Sequence, residues 1–312
     1  MTMKIVFMGS PEFSVPCLKV LAESGHEVAA VFTQPDKARG RRGNQLVPTA
    51  VKAAALEYGY EVYQPISLRK GEDAETSMQV LRDIAPDLIV VTAYGQILPK
   101  EVLELPKYGC INIHASLLPK YRGAAPINWV ILNGETETGV TSMQMGEGLD
   151  TGDMLIKRAT EIGENETYEE LYARLSAMGG EVLAETIEAI GKGALKPEVQ
   201  DDSLSCYSPM IRKEMSALDF SKSAAEVHNT IRGVTGFAML EGKRLKVFRS
   251  EIAQGSFDGA ENGAIVDTAS FAVKCGDGKA VIFREVQPEG KKRMKTEDFL
   301  RGKKLVKGDI LG

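Results

Sequence analysis

Short apolar, β-branched runs recur along the first third of the chain at Ile5-Val6-Phe7-Met8, Val28 to Phe32 and Asp87-Leu88-Ile89-Val90-Val91-Thr92. Consecutive rather than alternating apolar residues over so few positions describe strands covered on both faces, the condition of a parallel sheet. Helical patterns lie between them, at Phe13 to Ala22, Ala50 to Tyr58 and Glu75 to Ile84. After the first run, Gly9-Ser10-Pro11 supplies a glycine for the turn and a proline for a helix start, as at the strand-to-helix junctions of doubly wound sheets. The expected class is therefore α/β, with a doubly wound, mainly parallel sheet in the N-terminal part. The G-x-G-x-x-G spacing of a dinucleotide site is missing, which argues against a nicotinamide cofactor.

The run Cys110-Ile111-Asn112-Ile113-His114 differs from the others by ending in two polar residues. Side chains two apart on a strand leave the same face, so an amide and an imidazole should share one space at the strand's carboxyl end. Leu117, Leu118 and Pro119 follow as an apolar, φ-restricted wall, and Gly123 lets the backbone bend away. The pair marks a place for chemistry; it equally suits a buried histidine satisfied by a neighbouring amide. The loop Ala93-Tyr94-Gly95-Gln96-Ile97-Leu98-Pro99 reaches the same sheet edge, either to bound a flat ligand or as a tight connection.

Of the 312 residues, 43% are hydrophobic, enough for a sizeable core and against wholesale disorder. The net charge of −5 argues against a protein that coats nucleic acid with its whole surface, but it is unevenly spread. Residues 205–312 hold 19 Lys and Arg against 14 Asp and Glu, whereas the rest of the chain is acidic. Cys17, Cys110, Cys206 and Cys275 are widely spaced, suggesting reduced thiols rather than a disulfide framework or a zinc site. The first strand begins at Lys4 without a basic leader, and no apolar run is long enough to span a bilayer, so a cytoplasmic protein away from membranes is expected.

Two loops carry concentrated charge. Lys37-Ala38-Arg39-Gly40-Arg41-Arg42-Gly43, after Asp36, is a glycine-spaced basic stretch, either a solvated, mobile loop or an arm for phosphates. Gly146-Glu147-Gly148-Leu149-Asp150-Thr151-Gly152-Asp153 is acidic and glycine-laced but lacks the ligand spacing of a calcium loop, which leaves Asp150 to face another side chain. A helix from Thr167 to Ile190 opens with a Thr167/Glu170 capping box and closes a first domain, 1–190. Residues 191–208, with Gly193, Pro197 and a polar run, read as a linker. Beyond it a Ser223/Glu226 capping box starts a helix, and brief strands separated by turns such as Glu241-Gly242 and Asp277-Gly278 indicate a small β-barrel over 209–312.

The phrases Phe32-Thr33-Gln34-Pro35-Asp36, Tyr94-Gly95-Gln96-Ile97-Leu98-Pro99, Asn112-Ile113-His114-Ala115-Ser116-Leu117-Leu118-Pro119 and Gly148-Leu149-Asp150-Thr151-Gly152-Asp153 together resemble the methionyl-tRNA formyltransferase family. The resemblance runs along nearly the whole chain, to Lys295-Thr296-Glu297-Asp298-Phe299-Leu300, although Gly233-Val234-Thr235-Gly236-Phe237 stands where family members often carry a proline-tryptophan-proline phrase. It implies a folate-binding catalytic domain joined to an OB-like, tRNA-binding C-terminal barrel. The implied co-substrate is 10-formyltetrahydrofolate, without a metal, and the acceptor is the amino group of initiator methionyl-tRNA; a monomer is expected. The implied catalytic set is Asn112, His114 and Asp150. Ser116, Leu117, Leu118 and Pro119 would line the folate site, with backbone of the Tyr94 to Leu98 loop and the Gly148 turn near the pterin. Lys37, Arg39, Arg41 and Arg42 would meet the acceptor stem, Arg41 entering its groove.

The chemistry agrees with those residue types. A neutral amine attacks the formyl carbon, whose oxygen gains negative charge, and a preorganised hydrogen-bond donor such as Asn112 or His114 is worth roughly 2.7 to 4 kcal/mol there. Asp150 would orient His114 and help to move the amine's proton. An α-amino group with a pKa of about 8 is substantially neutral without a strong base. Two other readings are a formyltransferase acting on an amino-sugar nucleotide and a non-catalytic RNA-binding module. The basic loop suits an extended polyanion better than a small nucleotide, and retention of all three polar residues speaks against the module.

Overall fold

The computed structural model describes residues 2–39 and 45–312, which form two compact units. The first comprises the chain through Gly123 with Gly139–Thr160 and Tyr172–Tyr207; the second comprises Ala124–Thr138, Glu161–Leu171 and Ser208–Gly312. Neither is one continuous stretch. The segment 191–208, expected to be a linker, belongs to the first unit as far as Tyr207. Glu198 and Met154 exchange backbone hydrogen bonds of 2.8 Å, and Gln200 is only 7% exposed. Its glycine, proline and polar residues report composition, whereas the partners that order it lie some fifty residues upstream.

The first unit is built on a seven-stranded sheet. In chain order its strands and main helices are β1 (Lys4–Gly9), α1 (Val15–Glu23), β2 (Glu27–Phe32), β3 (Val62–Tyr63), α2 (Glu72–Ile84), β4 (Leu88–Thr92), β5 (Cys110–His114), β6 (Glu137–Gln144), β7 (Met154–Glu161) and α3 (Tyr168–Lys192). The spatial order is β7-β6-β5-β4-β1-β2-β3. Pairing is parallel from β3 to β5 and antiparallel between β5 and β6. Strand order reverses at β1, the arrangement in which α/β sheets open a crevice at their carboxyl ends. Both faces are covered, as the continuous apolar runs require: Val6, Met8, Phe32, Ile89 and Val91 form one buried layer with Leu81 of α2. On the other, α3 approaches closely because Gly179 and Gly180 carry no side chain; a Cβ there would sit 3.2 Å from Ile113 and from the Pro16 carbonyl, respectively.

The second unit contains α4 (Ala224–Val234), β8 (Gly236–Leu240), β9 (Lys243–Ile252), β10 (Ile265–Asp267), β11 (Ala272–Lys274), β12 (Ala280–Pro288) and β13 (Met294–Lys295). The strands pair antiparallel in the order β8-β9-β12-β11-β10, with β13 beside β12. The β8–β9 hairpin turns on Glu241 and Gly242, both with positive φ (50° and 72°), the mirror-image turn that matches strand twist. Where a proline-tryptophan-proline phrase was not found, α4 passes straight into β8: Thr235 has φ 59°, and a Cβ on Gly236 would lie 2.4 Å from Leu218. Both expected capping boxes form, Ser223 with Glu226 and Thr167 with Glu170.

His228 on α4 is 3% exposed, its Nδ1 2.8 Å from Ser250 Oγ and its Nε2 3.1 Å from the Glu164 carbonyl. Burial holds its pKa below the ordinary histidine value, outweighing the Glu164 carbonyl that favours the proton. The unfolded chain therefore binds a proton more readily, so this residue's stabilisation is present above about pH 6.5 and is lost as pH falls toward the depressed folded value. Amide exchange in β9 should accelerate between pH 7.5 and 5.5, after correction for intrinsic rates, and less steeply in His228→Asn. A second expectation concerns the β6–β7 turn: a Cβ on Gly152 would lie 1.7 Å from the Gln144 carbonyl oxygen, whereas one on Gly146 meets nothing within 4 Å. Gly152→Ala should cost about 1 to 3 kcal/mol in denaturant unfolding, and Gly146→Ala less than about 0.5 kcal/mol.

Candidate functional site

The site grows from the carboxyl end of β5. Asn112 stands opposite Val91 of β4 and Met143 of β6, and His114 opposite Thr141. Cys110 lies in the buried layer with Ile89 and Val91. The alternation of a strand therefore sends Cys110, Asn112 and His114 to one face and Ile111 and Ile113 to the other. The last two residues of that row emerge where β4 ends.

Asp150 arrives from the turn between β6 and β7. It adopts φ 52°, a left-handed conformation uncommon for a residue with a Cβ, and its side chain is 12% exposed. Its Oδ2 accepts from the Gly123 N–H at 2.8 Å and lies 3.7 Å from His114 Nδ1. Its Oδ1 lies 3.5 Å from Asn112 Nδ2, a long hydrogen bond. On the far side of the ring, His114 Nε2 is 2.9 Å from the Tyr121 carbonyl, which can only accept. Nε2 therefore carries a proton, and Nδ1 is the nitrogen that faces Asp150. The three expected catalytic residues thus converge, with Asn112 and His114 addressing different oxygens of one carboxylate.

The four residues expected to line a folate site divide. Ser116 is fully buried, and its hydroxyl donates to the Lys120 carbonyl at 2.7 Å; Leu118 is 2% exposed and packs with Met143 and Met154. Those two side chains face the interior, because the stretch folds back on itself and needs them to hold its turn. Leu117 and Pro119 are partly exposed. In the Tyr94 to Leu98 loop, Tyr94 is 2% exposed in the core beneath the sheet edge, and burial pushes its hydroxyl pKa upward. Ile97 and Leu149 present large apolar side chains to solvent, at 64% and 57% exposure.

The basic stretch is more regular at its base than the expected mobile loop. Lys37–Arg39 and Gln45–Val47 pair as two antiparallel strands, and Lys37 is exposed. Arg41 and Arg42 lie outside the described residues. The Asp36 carboxylate meets Lys52 Nζ and Gln64 Nε2, each at 2.7 Å, and these partners hold it below the usual carboxylate range. In the second unit several basic side chains are already engaged. Arg249 pairs with Glu170, Arg293 with Glu169 and Glu285 while covering the Phe248 ring at 4.2 Å, and Arg244 lies over Phe237 at 3.8 Å. Lys246, Lys291, Lys292 and Lys295 are exposed.

Three contributors were not singled out from sequence. The Gly123 N–H and Tyr121 carbonyl are backbone groups, invisible to residue type. Gln200 donates to the carbonyls of Asp150 and Gly152 at 2.8 and 2.7 Å, and only the fold connects those positions. Among the described residues no group of three or more His, Cys, Asp or Glu could hold a metal ion, and no helix is long and apolar enough to cross a membrane.

Comparison with known proteins places the chain in a family. Residues 3–187 match the formyl transferase family model, and residues 210–304 match that of the formyl transferase C-terminal domain. Methionyl-tRNA formyltransferases of Citrifermentans bemidjiense and Geotalea uraniireducens are 52% and 50% identical, each over 99% of this chain and over 96% and 98% of their own lengths. That of Alkaliphilus oremlandii is 47% identical over 99% of this chain and 100% of its own. Among solved structures, the sugar 3N-formyl transferase WlaRD, crystallised with dTDP and 5-N-formyl-THF, superposes with a TM-score of 0.69 at 22% identity, covering 94% of this chain and all of its own. HypX from Aquifex aeolicus in complex with tetrahydrofolic acid superposes at 0.62 with 17% identity, covering 96% of this chain and 47% of its own; at these identities the likeness concerns the fold. The chain belongs to the methionyl-tRNA formyltransferase family, a folate-dependent group within the formyl transferases.

Proposed function

We propose that this enzyme transfers the formyl group of 10-formyltetrahydrofolate to the free amino group of initiator methionyl-tRNA, using Asn112, His114 and Asp150. The observation that carries the residue assignment is the meeting of an amide and an imidazole on one carboxylate at the carboxyl end of β5. The choice of acceptor rests on relatives of that activity at about half identity along the chain. The edge around the three residues suits a flat heterocycle with polar rims, since Ile97 and Leu149 offer exposed apolar surface. Leu117, Pro119 and the backbone of Ser116 and Leu118 would bound it on the other side.

When bound, the donor supplies the formyl carbon and recovers the nitrogen electron pair as the bond to that carbon breaks. Asn112 Nδ2, engaged only at 3.5 Å, is available to donate to the formyl oxygen and to hold the charge that develops there. His114 is kept upright by the Tyr121 carbonyl and meets the reacting groups through Nδ1. Asp150 has unequal oxygens: Oδ2 is held by the Gly123 amide, so the less engaged Oδ1 receives the proton of the attacking amine. The carboxylate passes that proton onward to the departing nitrogen, directly or through water.

Lys37, Arg39, Arg41 and Arg42, clustered in sequence, would meet the phosphates of the acceptor stem. Phosphate contacts of this kind give affinity and salt dependence, not base discrimination. The exposed lysines of residues 205–312, a stretch of net positive charge, would meet the rest of the tRNA, and the enzyme would act as a monomer in the cytoplasm.

The deciding measurement offers 10-formyltetrahydrofolate with either charged initiator tRNA or an amino-sugar nucleotide to the purified protein. Formylation of the tRNA alone is expected; exclusive use of the sugar nucleotide would overturn the acceptor. His114→Ala and Asp150→Asn should each lower kcat at least a hundredfold with the fold intact by circular dichroism. Asn112→Ala should lose about 10²- to 10³-fold, the scale of one removed oxyanion donor. Neutralising Arg41 and Arg42 together should weaken tRNA use at constant salt and flatten the salt dependence by close to one logarithmic unit per lost phosphate contact. Folate affinity should stay unchanged, which separates the two sites.

A further inference from the structure

The Asp150 turn is held by groups that take no part in the chemistry described above. Gln200 Nε2 donates to the carbonyl oxygens of both Asp150 and Gly152, at 2.8 and 2.7 Å. Its Oε1 accepts from Arg122 Nε at 3.0 Å and Nη2 at 2.8 Å. Donors and acceptors match on both ends of the carboxamide, so its orientation follows from its partners. Arg122 in turn reaches Asp202 at 2.8 Å, and its own N–H donates to the Cys206 carbonyl at 2.9 Å. Gln200 is 7% exposed and the Arg122 side chain 11%, so both interactions act away from bulk water.

These bonds close a circuit. The residue after Arg122 is Gly123, whose N–H holds Asp150 Oδ2; the Asp150 backbone carbonyl is held by Gln200, and Gln200 is held by the Arg122 side chain. One dipeptide thus grips Asp150 at its carboxylate directly and at its backbone through the glutamine. The gripped residue has φ 52°, a conformation its Cβ disfavours and which persists only where the surroundings impose it. A bond at each end of the turn, at the carbonyls of residues 150 and 152, supplies that imposition.

We propose that Gln200, braced by Arg122, is a positioning residue for the formyl transfer: it fixes the Asp150 turn so that the carboxylate stands between Asn112 and His114. The inference rests on the role given to Asp150 above. It predicts a loss of turnover rather than of substrate affinity, because Gln200 bonds to the carbonyls of the Asp150 turn and to Arg122. A merely structural brace would lower stability and leave the turnover of the folded enzyme, and its pH dependence, in place.

The test compares Gln200→Ala, Gln200→Glu, Arg122→Lys and Asp150→Asn by steady-state kinetics with 10-formyltetrahydrofolate and charged initiator tRNA, with kcat measured across pH. Gln200→Glu preserves size and the Arg122 pairing but sets an acceptor against the two carbonyls, so it reports the clamp even if Gln200→Ala unfolds. Both Gln200 variants should lose ten- to a hundredfold in kcat, keep both KM values within about twofold and displace the acid limb of the kcat profile. Arg122→Lys, which keeps the charge but loses the two-point hold on Oε1, should lose three- to tenfold. Wild-type kcat in Gln200→Glu, or a loss with the acid limb unmoved, would overturn the proposal. If Asp150→Asn itself turns over normally, the role of Asp150 fails first; if it is crippled while the Gln200 variants are not, only the clamp fails.

Discussion

The bond from the Gly123 amide to the Asp150 carboxylate is the contact on which the site depends. It joins the stretch leaving β5 to the turn between β6 and β7, and without it the carboxylate would have no fixed place beside the imidazole. A backbone donor is well suited to this task because it carries no rotamer freedom of its own. It also makes the two oxygens inequivalent, one held at 2.8 Å by the backbone amide and one facing Asn112 at 3.5 Å. The glycine that donates has φ 110°, which lets the chain fold back over the end of the strand.

The sheet prepares that meeting. Asn112 and His114 continue a row of buried apolar positions on one face of β5, so their polarity appears only where the strand runs out of covering layers. The antiparallel register sets Gln144, the last residue of β6, beside Ile111, so the β6–β7 turn leaves at the amino end of β5 and its Asp150 reaches back to Asn112 and His114. Gly152 lets that turn press against the Gln144 carbonyl, where a side chain has no room. The candidate site is thus assembled from one strand end, one turn and one returning loop. The second unit applies a different physics: its core is apolar and antiparallel, and its arginines spend much of their charge on local carboxylates, which leaves lysines at the surface.

Sequence reasoning succeeds or fails according to the distance over which a residue finds its partner. Both capping boxes are legible because a helix start satisfies its donors within three residues. The segment 191–208, expected to be a linker, shows the opposite case: Glu198 and Gln200 find their partners at Met154, Asp150, Gly152 and Arg122. Ser116 and Leu118 show a related limit, since a motif names residues without saying which side chains turn inward. Their burial comes from Thr141, whose hydroxyl accepts from the Leu118 N–H and donates to the Ser116 carbonyl, a contact across more than twenty residues.

What the sequence determined by itself is what the local backbone repeat dictates: short buried strands, helix starts, and the shared face of two residues spaced by two. Those follow from periods of 2 and 3.6 residues that hold wherever the element is placed. The tertiary structure alone decided that Asp150 reaches His114, that it does so in a left-handed conformation, and that Gln200 and Arg122 keep it there. Strand order and loop closure set these distances, and chain separations of 36 and 50 residues carry no metric information until the sheet has formed.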